Sequence, residues 1–345
     1  INHDFNTRGL DSELSLTLAD QGKWLVTNSS TLTSLDNAGT VELAADSTLH
    51  ANSLTLQESS ILNVDLSAAA LASANSAPLI TGGEIALGGD LHISNSGNAL
   101  DIGTLTSDAQ LQDIETITLI DTDTAITGDF ASLSTDTDSM PDYLSVFGQI
   151  SATDNTQYQL GVGLSWYAGQ SGSVATPAHG TFTLDGGKQF TVNSQLEDVA
   201  SDTRSGWDGK SLTKKGEGTL TLTSNNTYSG TTAVQEGTLW LTETGVIGAA
   251  GSQQYVTVGQ GSTLGGNGTV NGNVDNAGTL RFGDNTAAQS GFIINGNVTN
   301  KGSIASSGTT PGNTLTINGN YTGTGGNLTL NTYLGDDSSP TDELI

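Results

Sequence analysis

Asn271-Gly272-Asn273-Val274 returns as Asn295-Gly296-Asn297-Val298, and again as Asn318-Gly319-Asn320-Tyr321. Upstream, Glu217-Gly218-Thr219-Leu220 returns as Glu236-Gly237-Thr238-Leu239. The offsets, 24, 23 and 19 residues, are those of a solenoid coil. In such an array each coil packs only on its neighbours, and function falls to its long sides rather than to a central pocket.

Working outward, short alternating runs recur along the chain. Leu14-Ser15-Leu16-Thr17-Leu18 places three leucines on one strand face. Thr40-Val41-Glu42-Leu43, Ser53-Leu54-Thr55-Leu56 and Leu62-Asn63-Val64-Asp65-Leu66 behave alike. One corner is used twice: Leu35-Asp36-Asn37-Ala38-Gly39-Thr40-Val41 matches Val274-Asp275-Asn276-Ala277-Gly278-Thr279-Leu280, with a looser copy at 298–304. Residues 67–178 are less regular. Ala68-Ala69-Ala70-Leu71-Ala72 can begin a helical turn, which Pro78 and the pairs Gly82-Gly83 and Gly88-Gly89 break. Residues 158–166 read as a strand pair and 168–178 as a loop. The expected division is thus 1–211, β-helix coils with longer loops or a hairpin insertion around 67–178, and 212–345, regular coils ending in the stretch Asp342-Glu343-Leu344-Ile345.

Strands of three to five residues cannot offset their ordering entropy alone. Coiling pairs each one in parallel with its equivalent one coil away, at about 4.8 Å. Inward residues then stack into aliphatic columns, while threonine, serine, asparagine and aspartate face out. The fold expected is all-β, a parallel β-helix of roughly triangular section. The composition agrees: 34% hydrophobic residues and 5% aromatic ones are too few for a broad globular core, yet 45 glycines suit frequent corners. With no cysteine, disulfides and thiolate metal sites are excluded. A net charge of −27 makes nucleic acid and anionic membranes poor partners. No apolar run approaches the ~20 residues of a membrane helix, so direct membrane insertion is not expected. The chain starts at Ile1 with no signal peptide in view and reads as a piece of something longer.

The stretch Lys215-Gly216-Glu217-Gly218-Thr219-Leu220, continuing through Asn225-Asn226-Thr227-Tyr228-Ser229-Gly230 to Gly237-Thr238-Leu239, closely resembles the passenger-associated transport repeat of bacterial autotransporters. Residues 245–345, with the Pro311-Gly312-Asn313-Thr314-Leu315 corner, resemble the C-terminal passenger region of AIDA-type adhesins and their self-associating relatives. The resemblance implies a right-handed parallel β-helix, exported through the outer membrane of a Gram-negative bacterium by a C-terminal β-barrel. It also implies that the last coils act as an autochaperone, and that the chain is a surface-attached or released passenger.

Carboxylates two residues apart share a strand face, the geometry a groove glycosidase uses. Asp121/Asp123 and Asp136/Asp138 qualify, but in a chain with 36 acids solvated loop carboxylates are the stronger reading. His3, His50, His92 and His179 lack metal spacing, and no Gly-x-Ser-x-Gly elbow occurs. No catalysis, metal or cofactor is therefore expected. Arg204, Lys210, Lys214 and Lys215 concentrate positive charge that could meet a sulfated glycan or a partner's carboxylates; charge balance is the plainer reading. Trp166-Tyr167, Trp207 and Trp240 could stack on sugars, although for Trp240 capping or filling the core is the stronger reading. The function expected is a cell-surface adhesin that promotes aggregation and biofilm growth through self-association with the same protein on neighbouring cells. The alternatives are a module binding host-matrix glycosaminoglycan or glycoprotein, and a polysaccharide-degrading β-helix enzyme.

Overall fold

A computed structural model describes residues 13–66, 77–94, 104–112, 116–136, 140–170, 172–252, 254–284, 290–336 and 338–345. The alanine-rich segment at 68–72 lies outside the described residues, as do His3 and Asp138. The chain divides into two compact units: Ile1–Thr104 with Gln112–Met140 and Leu144–Ala178, and Leu105–Leu111 with Pro141–Tyr143 and His179–Ile345.

In the first unit, strands alternate between two parallel sheets. Ser15–Leu18, Ser30–Asn37, Leu49–Leu56 and Ile80–Leu87 stack in one; Lys23–Val26, Thr40–Leu43, Ile61–Asp65 and Asp90–Ser94 stack in the other. The eight-residue strands each turn a corner midway. Two consecutive residues face outward there, Thr33-Ser34, Asn52-Ser53 and Gly83-Glu84, between inward pairs such as Leu32 and Leu35. Two sheets thereby make three faces around one aliphatic core that includes Trp24, Val41, Leu54, Leu62, Ile85 and Ile93.

The parallel stack gives way to an antiparallel insertion, as expected of this region. Gln157–Leu164 runs antiparallel to both Ile117–Thr122 and Leu144–Ile150, and Val174–Ala175 adds to the latter. Residues 158–166 are therefore not a strand pair. They are one strand whose partner lies upstream, ending in the 3-10 turn Ser165–Tyr167, where Trp166 is fully buried.

In the second unit three parallel sheets take strands in rotation from Leu212–Lys215 onward. A coil runs, for example, from Leu212–Lys215 through Thr219–Leu222 to Asn225–Asn226, and the next from Thr232–Val234 through Thr238–Leu241 to Val246–Ile247. Each strand pairs with its equivalent one coil on. The quoted repeat is what this stacking requires at one corner. The first asparagine forms an amide ladder: Asn318 Nδ2 donates to Asn295 Oδ1 at 2.8 Å, Asn295 Nδ2 to Asn271 Oδ1 at 2.7 Å, and Asn271 Nδ2 to the Gly248 carbonyl at 2.8 Å. The second asparagine accepts from the coil above: the Asn297 N–H reaches Asn273 Oδ1, and the Asn320 N–H reaches Asn297 Oδ1, both at 2.8 Å. The glycine between them lets backbones touch. A Cβ on Gly296 would fall 2.1 Å from the Gly272 carbonyl oxygen.

The shared Asp-Asn-Ala-Gly-Thr corner is built alike in both units, with the asparagine and glycine inward. This corrects the expectation that asparagines line the outside. Asn37, Asn276 and Asn300 are completely buried. Asn276 Nδ2 donates to Asn300 Oδ1 at 2.8 Å, and Asn300 Nδ2 to the Tyr321 hydroxyl at 3.2 Å, an internal ladder in place of an aliphatic one. Replacing Asn300 by leucine removes the partner of a buried amide, at a cost of about 1–3 kcal/mol in urea unfolding. The last described coil leaves its inward side half open: Leu328, in register with buried Ile304, is 46% exposed.

Candidate functional site

The middle sheet of the second unit stacks Gln189–Val192, Thr219–Leu222, Thr238–Leu241, Thr263–Gly266, Thr279–Phe282, Ser303–Ser306 and Asn327–Thr329. Alternation sends Leu220, Leu239, Leu264, Leu280 and Ile304 into the core. The opposite side chains form two outward columns. One runs Thr219, Thr238, Thr263, Thr279, Ser303; the other runs Thr191, Thr221, Trp240, Gly265, Arg281, Ala305. At the outward positions of these strands Arg281 is the one ionised side chain, in a protein of net charge −27.

Trp240 sits in the middle of this face, half-buried and pointing outward. Gly265 makes room for it, since a Cβ there would lie 3.0 Å from the indole. The expectation that Trp240 fills the core is therefore corrected. Its neighbours Leu239 and Leu241 are both fully buried, so strand alternation leaves residue 240 no inward direction. The arrangement is a flat hydroxyl ladder around one indole, suited to many weak contacts with another extended surface and offering no group for proton transfer.

The basic cluster does not assemble. Arg204 folds back on Asp202, with Nη2 2.7 Å from the carboxylate. Lys210 is exposed in the following loop, where its N–H is held by Asp208 Oδ1 at 3.0 Å. Lys215 points outward, but Lys214 is fully buried. Lys214 is in register with Phe182 and Val234, so it occupies an inward column. Its Nζ bends back to the corner and donates to the carbonyls of Lys215 and Gly216 at 2.6 Å and of Glu236 at 3.2 Å. Burial lowers its pKa from 10.5 to about 8, against the opposing pull of Glu236 and Asp142.

The paired carboxylates belong to the first unit. Asp121 is the penultimate residue of the strand Ile117–Thr122, half-buried, and Asp123 is exposed beyond it. Asp136 is engaged by His92, whose Nε2 lies 3.1 Å from its Oδ1. The other imidazole nitrogen, Nδ1, lies 2.8 Å from Ser134 Oγ. Serine, imidazole and carboxylate thus bridge two adjacent strands on an open face, where the ring is clamped from both sides.

Two family models match segments of this chain. The passenger-associated-transport-repeat covers residues 212–241, and the autochaperone domain type 1 covers residues 294–345. Both are autotransporter passenger features. Two curated proteins of Escherichia coli strain K12 are also similar. One, the uncharacterized protein YuaQ, is 37% identical over 132 residues, 38% of this chain and 8% of YuaQ. The other, the uncharacterized protein YdeU, is 59% identical over 39 residues, 11% of this chain and 8% of YdeU. The matched segments thus span less than a tenth of either relative.

The segment matched by the transport repeat is one full coil and the first two strands of the next. It contains both the buried Lys214 and the outward Trp240, so the motif serves core and surface together. The autochaperone segment contains the second and third copies of the asparagine-glycine-asparagine corner. Passengers of this kind are exported to the cell surface of Gram-negative bacteria.

Proposed function

We propose that this passenger is a cell-surface adhesin that draws bacteria together by lateral association of its β-helical coils, through the threonine face around Trp240, and that it acts by binding rather than catalysis. The observation that carries the reading is the near absence of charge on that face. Two copies can approach there without burying unpaired carboxylates, which the acidic remainder of the surface would force. Each inter-chain hydrogen bond contributes about 1 kcal/mol, and many copies per cell contact supply avidity. Trp240 provides the central aromatic contact typical of association hot spots.

Cells displaying the whole protein should settle, and the double variant Thr221→Asp/Thr263→Asp should abolish settling while the purified chain keeps its β circular dichroism. Both residues face outward, so the added carboxylates repel without disturbing the core. Raising ionic strength from about 0.01 to about 0.15 M shortens the screening length from ~30 to ~8 Å and should speed the settling of wild-type cells. Unchanged settling in the double variant sinks the reading.

A further inference from the structure

We infer that the antiparallel insertion of the first unit carries a second binding site, a cleft for a neutral pyranose at the end of a glycan chain. The cleft encloses about 230 Å³ and is lined by Phe147, Gln149, Leu164, Tyr167, Gln170 and Ser173, among others. Phe147 is paired with Gly161 across the ladder. A Cβ on Gly161 would lie 2.4 Å from the ring, and one on Gly163 would lie 3.8 Å away, so the ring lies down over two glycines. Tyr167 is held at the end of the 3-10 turn whose middle residue, Trp166, is fully buried. Both residues are half-buried and line the cleft.

The polar groups are of one kind. The side-chain amides of Gln149 and Gln170 form no hydrogen bond among the described residues. Each offers a donor pair and an acceptor, which matches a hydroxyl that also does both. None of the described residues lining the cleft carries a charge, although the chain has 36 acids. An ionised ligand would be desolvated there without a counter-charge. A pyranose fits these terms: its C–H face stacks on an aromatic ring, and its equatorial hydroxyls reach the amides. The volume lies below the roughly 300–1,000 Å³ of sites for drug-sized ligands, which suits a single ring entering from the open side.

The cleft shares no residue with the threonine face, and its test does not read cell settling. Saturation-transfer NMR on the full chain uses methyl β-galactopyranoside, methyl β-glucopyranoside, methyl α-mannopyranoside and sodium glucuronate as probes. At least one neutral glycoside should receive saturation, strongest at its ring C–H protons, at about millimolar concentration. Gln149→Ala/Gln170→Ala should weaken binding by at least roughly fivefold, the equivalent of one lost hydrogen bond. Tyr167→Ala should remove it, and glucuronate should receive none. The amide positions are partly exposed, so the double variant tests the cleft without challenging the core. No transfer to any neutral glycoside, equal transfer to glucuronate, or binding unaltered in these variants overturns the inference.

Discussion

The Gly296→Ala variant should lose its C-terminal coils. A single added methyl does this because it has nowhere to go: its carbon would fall 2.1 Å from the Gly272 oxygen, 2.4 Å from the Gly272 carbonyl carbon and 2.9 Å from the Asn273 nitrogen. All three are backbone atoms of the coil below, so no rotamer change relieves the contact. The coils must separate locally, breaking the amide ladder from Asn295 to Asn271 and the bond from the Asn297 N–H to Asn273 Oδ1. Overpacking of this severity costs about 3 kcal/mol or more. Because each coil leans only on its neighbours, the loss falls on residues beyond the substitution. Urea unfolding should show a lowered midpoint, and thermolysin should cut first on the C-terminal side of residue 296. Gly291→Ala is the control, five residues before Gly296 in the same coil but with its nearest non-local atom at 3.8 Å. It should match the parent. Equal effects from the two alanines would show that the close approach of coils is not what the repeated motif encodes.

That motif also shows how much of the fold was legible. The return of Asn-Gly-Asn at fixed offsets announced a coil, because stacking imposes the same contact at every level. The alternating leucines announced which side faces in. What sequence alone misassigned were polar residues at inward positions. Asn37, Asn276 and Asn300 look like surface residues by type, yet each follows an outward aspartate or threonine and so must turn inward. Lys214 and Trp240 were misplaced for the same reason: residue type was allowed to outweigh position. Leu212 faces in, so Lys214 does too; Leu239 and Leu241 face in, so Trp240 does not. The insertion was visible only as irregularity. Its partner strand, Leu144–Ile150, carries no repeat, and antiparallel pairing is settled by contacts that no periodicity reports. The cleft is beyond the reach of sequence for that reason, although Tyr167 by type is a sugar-stacking candidate.

Lys214 should make this protein more stable in mild alkali, the reverse of what an acidic protein with few lysines suggests. Its pKa is 10.5 when unfolded and about 8 in the folded coil. Between those values the unfolded chain binds a proton that the folded chain does not, so stability rises with pH, by at most about 1.4 kcal/mol per unit and about 3 kcal/mol in all. The physical origin is desolvation: a side chain with no exposed surface carries its charge among carbonyls, and releasing the proton removes that cost while donors remain for the corner. The window closes near pH 10. There the unfolded tyrosines ionise, while Tyr143 is held up to about 12 and Tyr158 and Tyr228 are raised by burial, so stability falls again. A series of urea midpoints from pH 7 to 11 should therefore pass through a maximum near pH 10. In Lys214→Met the rising limb should vanish and the falling limb persist, whatever the change in absolute stability from leaving three carbonyls without their donor. A rising limb that survives the substitution would mean that a group other than Lys214 binds the proton that folding expels.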